Sequence, residues 1–139
     1  MQDSDQFYMN TYRILLIEDN PVFFTLWHSV FSQVMWRYKL DWAVNEKAAK
    51  KMLEKNSYDI VVSDIFLSGS KTSIDIWKSV NPNSCSFIFA TRVDEKTLKN
   101  FVAHEDRPYF FLEKPLNIGR SMLLVQSIIQ SEEQIGSVV

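Results

Sequence analysis

The chain has 139 residues, of which 46% are hydrophobic and 23% charged, and its formal net charge is −2. This composition is typical of one globular domain, and it argues against a disordered chain and against nucleic-acid binding through bulk positive charge. Cys85 is the single cysteine, so no internal disulfide can form. With no secretory signal and no apolar run of membrane-spanning length, we expect a cytoplasmic protein that does not bind membranes.

The predicted elements alternate between strand and helix along the chain, after a polar lead-in over residues 1–12. Five short apolar runs predict strands at residues 14–17, 39–45, 60–63, 85–91 and 109–115. Amphipathic spacing predicts helices at residues 20–36, 46–56, 73–80, 94–105 and 117–134. Asn20 and Asp94 stand where helix caps are expected, and Pro21 stands at a first helical position.

This alternation predicts an α/β fold. Short apolar strands joined by helical crossovers are typical of a parallel sheet that is covered on both faces. We therefore predict a single three-layer, doubly wound domain with a five-stranded sheet and five helices, over residues 13–130. Residues 131–139 would be a C-terminal tail or the start of a linker.

Polar residues gather where the predicted strands end, and in open parallel sheets ligands bind at this carboxyl edge. Taken singly, Asp19 could be a helix cap, Thr91 a cap or an ordinary strand residue, and Lys114 a solvated lysine. Three acids, a hydroxyl and a lysine at one edge make a functional site the better interpretation. The residues concerned are Glu18 and Asp19 after the first strand, Asp64 after the third, Thr91 in the fourth and Lys114 in the fifth.

Electrostatics narrows the chemistry of this edge. Two carboxylates about 4 Å apart repel by about 4 kcal/mol at an effective dielectric of 20, so three of them need a compensating cation. Oxygen ligands suit a hard ion such as Mg²⁺, which commonly binds one or two carboxylates together with a phosphate. Lys114 adds a second positive centre for a phosphoryl oxygen. The combination predicts a phosphoryl-transfer site.

Four segments in order resemble the receiver domain of bacterial two-component response regulators, of the chemotaxis-regulator type. These segments are "ILLIEDNP", "YDIVVSDIFLSGS", "FIFAT" and "FFLEKP", and the resemblance extends from residue 13 to about residue 130. It implies a flavodoxin-like sheet with strand order 2-1-3-4-5.

The resemblance also implies roles for the acidic residues. Asp64 would be the phosphoacceptor, which attacks a phosphoryl group to form an acyl phosphate. Asp19 would bind Mg²⁺ directly, and Glu18 would assist through water. Asp64 and the backbone carbonyl of Phe66 would complete the metal ligands, and Mn²⁺ could replace Mg²⁺.

The remaining implied roles belong to the fourth and fifth strands. Thr91 and Lys114 would contact the bound phosphoryl group, and Pro115 would fix the loop of the lysine through a cis peptide bond. Phe111 would be the aromatic residue that changes rotamer on activation. Movement of Thr91 and Phe111 would then alter the surface made by the fourth helix, the fifth strand and the fifth helix.

The resemblance implies a signalling switch rather than an enzyme, although such a switch assists its own phosphorylation and dephosphorylation. The phosphoryl donor would be a histidine kinase or a histidine phosphotransfer protein, and the output would be an unidentified partner protein or output domain. No direct binding of nucleic acid is expected. A degenerate receiver that acts as a constitutive scaffold is an alternative.

Two other classes fit less well. A small aspartyl-nucleophile phosphohydrolase would need a second acid two residues after the nucleophile, where this chain has Phe66. A flavin-binding electron carrier would need a phosphate loop rich in Ser, Thr and Gly after the first strand, where this chain has "EDNPVFF".

Departures from the family pattern fall mainly in the loop after Asp64. Leu67 and Ser68 replace a usual Met-Pro pair, Thr72 replaces a common glycine, and Gly69 and Ser70 form the loop. Phe66 and Val93 are apolar at positions that in the family tune loss of the phosphoryl group. Since apolar side chains there would hinder an attacking water, we predict a long-lived phosphorylated form.

Overall fold

The computed structural model of the protein describes residues 11–67 and 73–138. Its strands are β1 (Tyr12–Ile17), β2 (Tyr38–Ala43), β3 (Ile60–Ser63), β4 (Ser86–Thr91) and β5 (Phe110–Glu113). Its helices are α1 (Pro21–Val34), α2 (Glu46–Lys55), α3 (Ile74–Ser79), α4 (Glu95–Val102) and α5 (Ile118–Val138). The predicted alternation of five strands and five helices is confirmed. No helix within the described ranges is long and apolar enough to cross a membrane.

The differences from the sequence prediction lie at element ends. β1 begins at Tyr12, inside the predicted lead-in. α5 runs to Val138 and so includes most of the segment 131–139, which the sequence suggested as a tail or linker. That segment contains no proline that would stop a helix. The loop positions Ser68, Gly69, Ser70 and Thr72 lie outside the described residues.

The sheet is fully parallel with the strand order β2-β1-β3-β4-β5, as predicted. Ile17 pairs with Ser63 at the ends of β1 and β3. Because the two strands run in the same direction, the residues that follow this pair leave the sheet at the same edge. Those residues are Glu18 and Asp64.

Two apolar layers cover the sheet because successive strand residues point to opposite faces. α2, α3 and α4 cover one face, where the buried core includes Leu15, Ile17, Val61, Phe89, Ala49, Ile76, Trp77 and Leu98. α1 and α5 cover the other face, where it includes Ile14, Leu16, Ile60, Val62, Trp27, Phe31, Val125 and Ile128. β1 and β3 are thereby buried on both faces, which leaves their ends as the places for polar chemistry.

Side-chain caps at Asn20, Asn45, Asp94 and Asn117 fix where four of the helices begin. The side chain of Asn20 accepts a hydrogen bond from the amide of Val22 at 3.0 Å, with Pro21 in the first turn. Asp94 accepts one from the amide of Thr97 at 2.7 Å, as predicted. Asn45 caps α2 in the same way. The cap at Asn20 places the first turn of α1 next to Glu18 and Asp19 at the end of β1.

Candidate functional site

The centre of the site is an ion cluster of Lys114, Glu18 and Asp64, in which a single ammonium group joins two carboxylates. Lys114 Nζ donates to Glu18 Oε2 at 2.7 Å and to Asp64 Oδ2 at 2.9 Å. The side chains of Lys114 and Glu18 are 4% and 6% exposed, and that of Asp64 is 19% exposed. Three of the predicted site residues, which follow β1, β3 and β5, therefore meet at the carboxyl edge of the sheet.

Two serine hydroxyl groups hold the backbone of Asp64. The hydroxyls of Ser63 and Ser73 donate to the Asp64 carbonyl oxygen at 2.8 Å and 2.7 Å. The Phe66 amide donates to Asp64 Oδ1 at 3.3 Å, while Lys114 binds the other carboxylate oxygen. Asp64 is thus held on both its backbone and its side chain, which is what its predicted role as a nucleophile would require.

Glu18 is buried, and its backbone is fixed by the neighbouring edge strand. The indole of Trp42 donates to the Glu18 carbonyl oxygen at 2.6 Å, and the Glu18 amide donates to the Ala43 carbonyl at 3.0 Å. Burial raises the pKa of the Glu18 carboxyl, Lys114 offsets part of this rise, and a hydrogen bond with the Asp19 carboxyl adds to it. The carboxyl groups of Glu18 and Asp19 therefore interact with each other at the end of β1.

The donor atoms fit a hard cation in their chemistry, although they are not gathered into a preformed site. Within residues 11–67 and 73–138, no group of three or more His, Cys, Asp or Glu side chains is placed to hold a metal ion. Lys114 already binds one oxygen of Glu18 and one of Asp64. Asp19 is exposed beside them. A cation would have to share or displace the ammonium, so magnesium binding by these oxygens stays a prediction.

Thr91 lies at the same edge and is linked to Lys114 through the backbone. The Lys114 amide donates to the Thr91 carbonyl oxygen at 2.8 Å. The buried Thr91 hydroxyl oxygen accepts from the Val93 amide at 3.3 Å. The peptide bond between Lys114 and Pro115 is cis, as the resemblance implied. Thr91 and Lys114 are therefore neighbours along the backbone at the ends of β4 and β5.

The two predicted phenylalanines lie in different surroundings. Phe111 pairs with Phe89 in the sheet and packs, partly buried, against the core beneath α2, α3 and α4. Phe66 is 48% exposed, and its ring meets Phe101 of α4 edge to face, with the ring centroids 5.5 Å apart. Phe66 therefore links the segment after Asp64 to α4, a contact that the sequence did not predict.

Sequence reasoning missed three residues that shape the ion cluster, namely Phe23, Trp42 and Ser73. The Phe23 ring centroid lies 3.9 Å from Lys114 Nζ. In the sequence, Phe23 and Trp42 belong to apolar patterns, and Ser73 stands at a helix start, where capping is the ordinary role. No local signal distinguishes these residues from core or cap residues, because their partners are distant in the sequence.

Comparison of the sequence with protein-family models and with curated proteins finds no match. The structure, in contrast, is similar to solved receiver domains. A signal receiver domain of an HD domain-containing protein from Pseudomonas fluorescens is 20% identical, with a TM-score of 0.73 over 90% of this chain and 99% of that chain. A signal receiver domain of a putative Luxo repressor protein from Vibrio parahaemolyticus is 21% identical, with a TM-score of 0.75 over 93% and 98%.

A two-component response regulator from Clostridium difficile is also similar, at 20% identity and a TM-score of 0.71, over 86% of this chain and 96% of that chain. The fold and the ion cluster define a doubly wound α/β domain with an acid–lysine centre at the carboxyl edge of its sheet. The fold is, more particularly, that of a response regulator receiver domain, which confirms the fold implied by the four sequence segments.

Proposed function

We propose that this protein is a phosphorylation-dependent signalling switch in a two-component system. The observation that carries the proposal is the position of Lys114 Nζ between Asp64 and Glu18 at the strand ends of a receiver fold. Asp64 would take a phosphoryl group from a phosphohistidine on a histidine kinase or a histidine phosphotransfer protein. A carboxylate oxygen of Asp64 would form the new O–P bond as the N–P bond of the donor breaks, and the bonding electrons would return to the imidazole.

The chain's own residues support such a transfer. Ser63 and Ser73 hold the Asp64 backbone, and the Phe66 amide orients one carboxylate oxygen. Lys114 would stabilise the negative charge on the transferring phosphoryl group, and Thr91 would bind one of its oxygens. Glu18, Asp19, Asp64 and the carbonyl of Phe66 would hold Mg²⁺ or Mn²⁺. That ion, when bound, would neutralise phosphoryl charge.

The output would be a changed surface rather than a released product. Thr91 and Phe111 lie on the strands nearest α4 and α5 in the chain, so movement of both residues would alter the surface made by α4, β5 and α5. A partner protein or an output domain would read that surface.

The proposal is tested by incubating the protein with Mg²⁺ and acetyl phosphate and measuring the intact mass. We expect one added phosphoryl group in the wild type, none in Asp64→Asn and none when the metal is chelated. Asp75→Asn is a matched control, because Asp75 is exposed in the first turn of α3. It should be phosphorylated as the wild type is.

Two outcomes would contradict the proposal. A wild-type protein that takes up no phosphoryl group from acetyl phosphate or from a phosphohistidine donor would support a degenerate receiver that acts as a scaffold. Continuous release of inorganic phosphate over many turnovers would instead support a phosphohydrolase.

A further inference from the structure

We infer that Phe23 is a positioning residue for Lys114, whose ammonium the face of the Phe23 ring holds between Glu18 and Asp64. Lys114 Nζ lies 3.9 Å from the centroid of the Phe23 ring. This is well within the distance of about 6 Å at which a cation is attracted to an aromatic face. The same nitrogen donates to Glu18 Oε2 at 2.7 Å and to Asp64 Oδ2 at 2.9 Å.

Burial makes the aromatic contact important. A lysine ammonium has three N–H groups and is strongly hydrated in water. The Lys114 side chain is only 4% exposed, and the two carboxylates take two of its hydrogen bonds. A ring face attracts a desolvated cation more strongly than an exposed one. Phe23 thus replaces part of the hydration that the ammonium loses.

The start of α1 brings the ring to this place. The Phe23 amide donates to the Asn20 carbonyl oxygen at 3.1 Å, and the Asn20 side chain caps the same turn. Phe23 is partly buried and packs against the core beneath α1 and α5. Residues 18–23 therefore supply both a carboxylate and an aromatic face to one cation.

An aromatic ring face differs from a third carboxylate in how it binds the ammonium. The ring attracts the positive charge itself, so the contact does not depend on the direction of any one N–H bond. In the proposed function, a phosphoryl oxygen would take over from Asp64 Oδ2 as the partner of Lys114. Phe23 would keep the ammonium in the site while its hydrogen bonds change. This role in transfer rests on the proposed function, whereas the ring contact exists without phosphorylation.

The contact is tested by NMR of the lysine ammonium groups in metal-free, unphosphorylated protein. We expect a Lys114 signal that is protected from exchange with water and shifted upfield by the ring, and that is identified by its loss in Lys114→Met. Phe23→Leu should remove the upfield shift and the protection, and Phe23→Tyr should restore both. Phe110→Leu is the matched control, because Phe110, like Phe23, is partly buried against the core beneath α1 and α5, but it lies at the first residue of β5, away from the ion cluster.

An unchanged Lys114 signal in Phe23→Leu would overturn the inference, whether or not the protein accepts phosphate. If the contact is confirmed, the initial rate of phosphorylation by acetyl phosphate should fall about tenfold in Phe23→Leu and be largely restored in Phe23→Tyr. Equal rates in Phe23→Leu and wild type would overturn the positioning role. A wild type that takes up no phosphate but shows the expected Lys114 signals would refute the proposed function and leave the positioning of Lys114 by Phe23 supported.

Discussion

At the scale of single residues, the site depends on one buried cation shared by two carboxylates. A buried charge is tolerated only when it is paired and hydrogen bonded. Lys114 meets this requirement with Glu18, Asp64 and the Phe23 ring. Glu18 meets it less completely, since its pKa remains raised by burial despite the lysine. The cluster therefore depends on Lys114 for most of its charge compensation.

Removing the shared cation should be costly. We expect Lys114→Met to lower the free energy of unfolding by about 3 kcal/mol, because it leaves a buried carboxylate unpaired. Urea unfolding in the absence of divalent metal measures this change. Lys78→Met is the control, because Lys78 pairs with Glu105 at 3.1 Å with the two side chains 44% and 34% exposed, and its loss should cost less than about 1 kcal/mol. Similar losses in the two variants would contradict the argument.

Phe66 should control how long the phosphoryl group persists. Its ring packs edge to face against Phe101, and its amide donates a hydrogen bond to the carboxylate of Asp64. If the ring restricts attacking water, Phe66→Ala should lose the phosphoryl group several-fold faster than the wild type. The measurement is the decay of the phosphorylated mass after acetyl phosphate is removed. Phe66 is 48% exposed, so the fold should be little affected. Loss from the wild type within seconds would contradict the prediction of a long-lived form.

At the scale of elements, α3 is held by its core side chains more than by its ends. It has six residues, and the hydroxyl of Ser73, in the cap position, binds Asp64 instead of capping the helix. Trp77 is 1% exposed, and its indole donates to the Pro108 carbonyl oxygen at 3.1 Å. A short helix gains little from its own hydrogen bonds, so this anchor decides its position.

We therefore expect Trp77→Phe to destabilise the protein by about 2 kcal/mol, through a smaller buried ring and an unpaired carbonyl. The same substitution at Trp36, which is 91% exposed, should change stability by less than about 0.5 kcal/mol. Thermal and urea unfolding of the two variants make the comparison. A small effect at Trp77 would indicate that α3 has a different anchor.

At the scale of the whole molecule, the sheet connects the site to the surface. β4 carries Thr91 at its end, and β5 carries Phe111 and leads into Lys114. α4 and α5 follow these strands in the chain. If Asp64 is the phosphoacceptor, we expect a change there to reach α4, β5 and α5 through these strands.

Phosphorylation should accordingly shift the backbone amide NMR signals of α4, β5 and α5. The amide signals of Tyr58 and Cys85 serve as the reference, because these residues line a cavity of about 620 Å³ near the amino ends of β3 and β4, at the opposite edge of the sheet from Asp64. We expect these reference signals to stay unchanged. The Thr91→Ala variant should still be phosphorylated. In this variant the shifts of the amide signals should be confined to residues around Asp64. Shifts confined to those surroundings in the wild type would show that the surface does not respond.

The order of the elements and the residues at each strand end could be predicted from the sequence. Both are local properties, since apolar runs of strand length and helical spacing are visible in the chain, and parallel strands must place their ends at one edge. Glu18, Asp64 and Lys114 could therefore be predicted to lie at one edge of the sheet.

The tertiary structure alone decided how these residues meet. Lys114 joins Glu18 and Asp64 across 96 and 50 residues of sequence, with the Phe23 ring beside it. The Ser73 hydroxyl donates a hydrogen bond to the Asp64 carbonyl oxygen rather than capping its own helix. The hydrogen-bond partners of Lys114 and Ser73 depend on how closely the strands and helices pack, because that distance decides which groups a buried polar side chain can reach. No local pattern in the sequence encodes that distance.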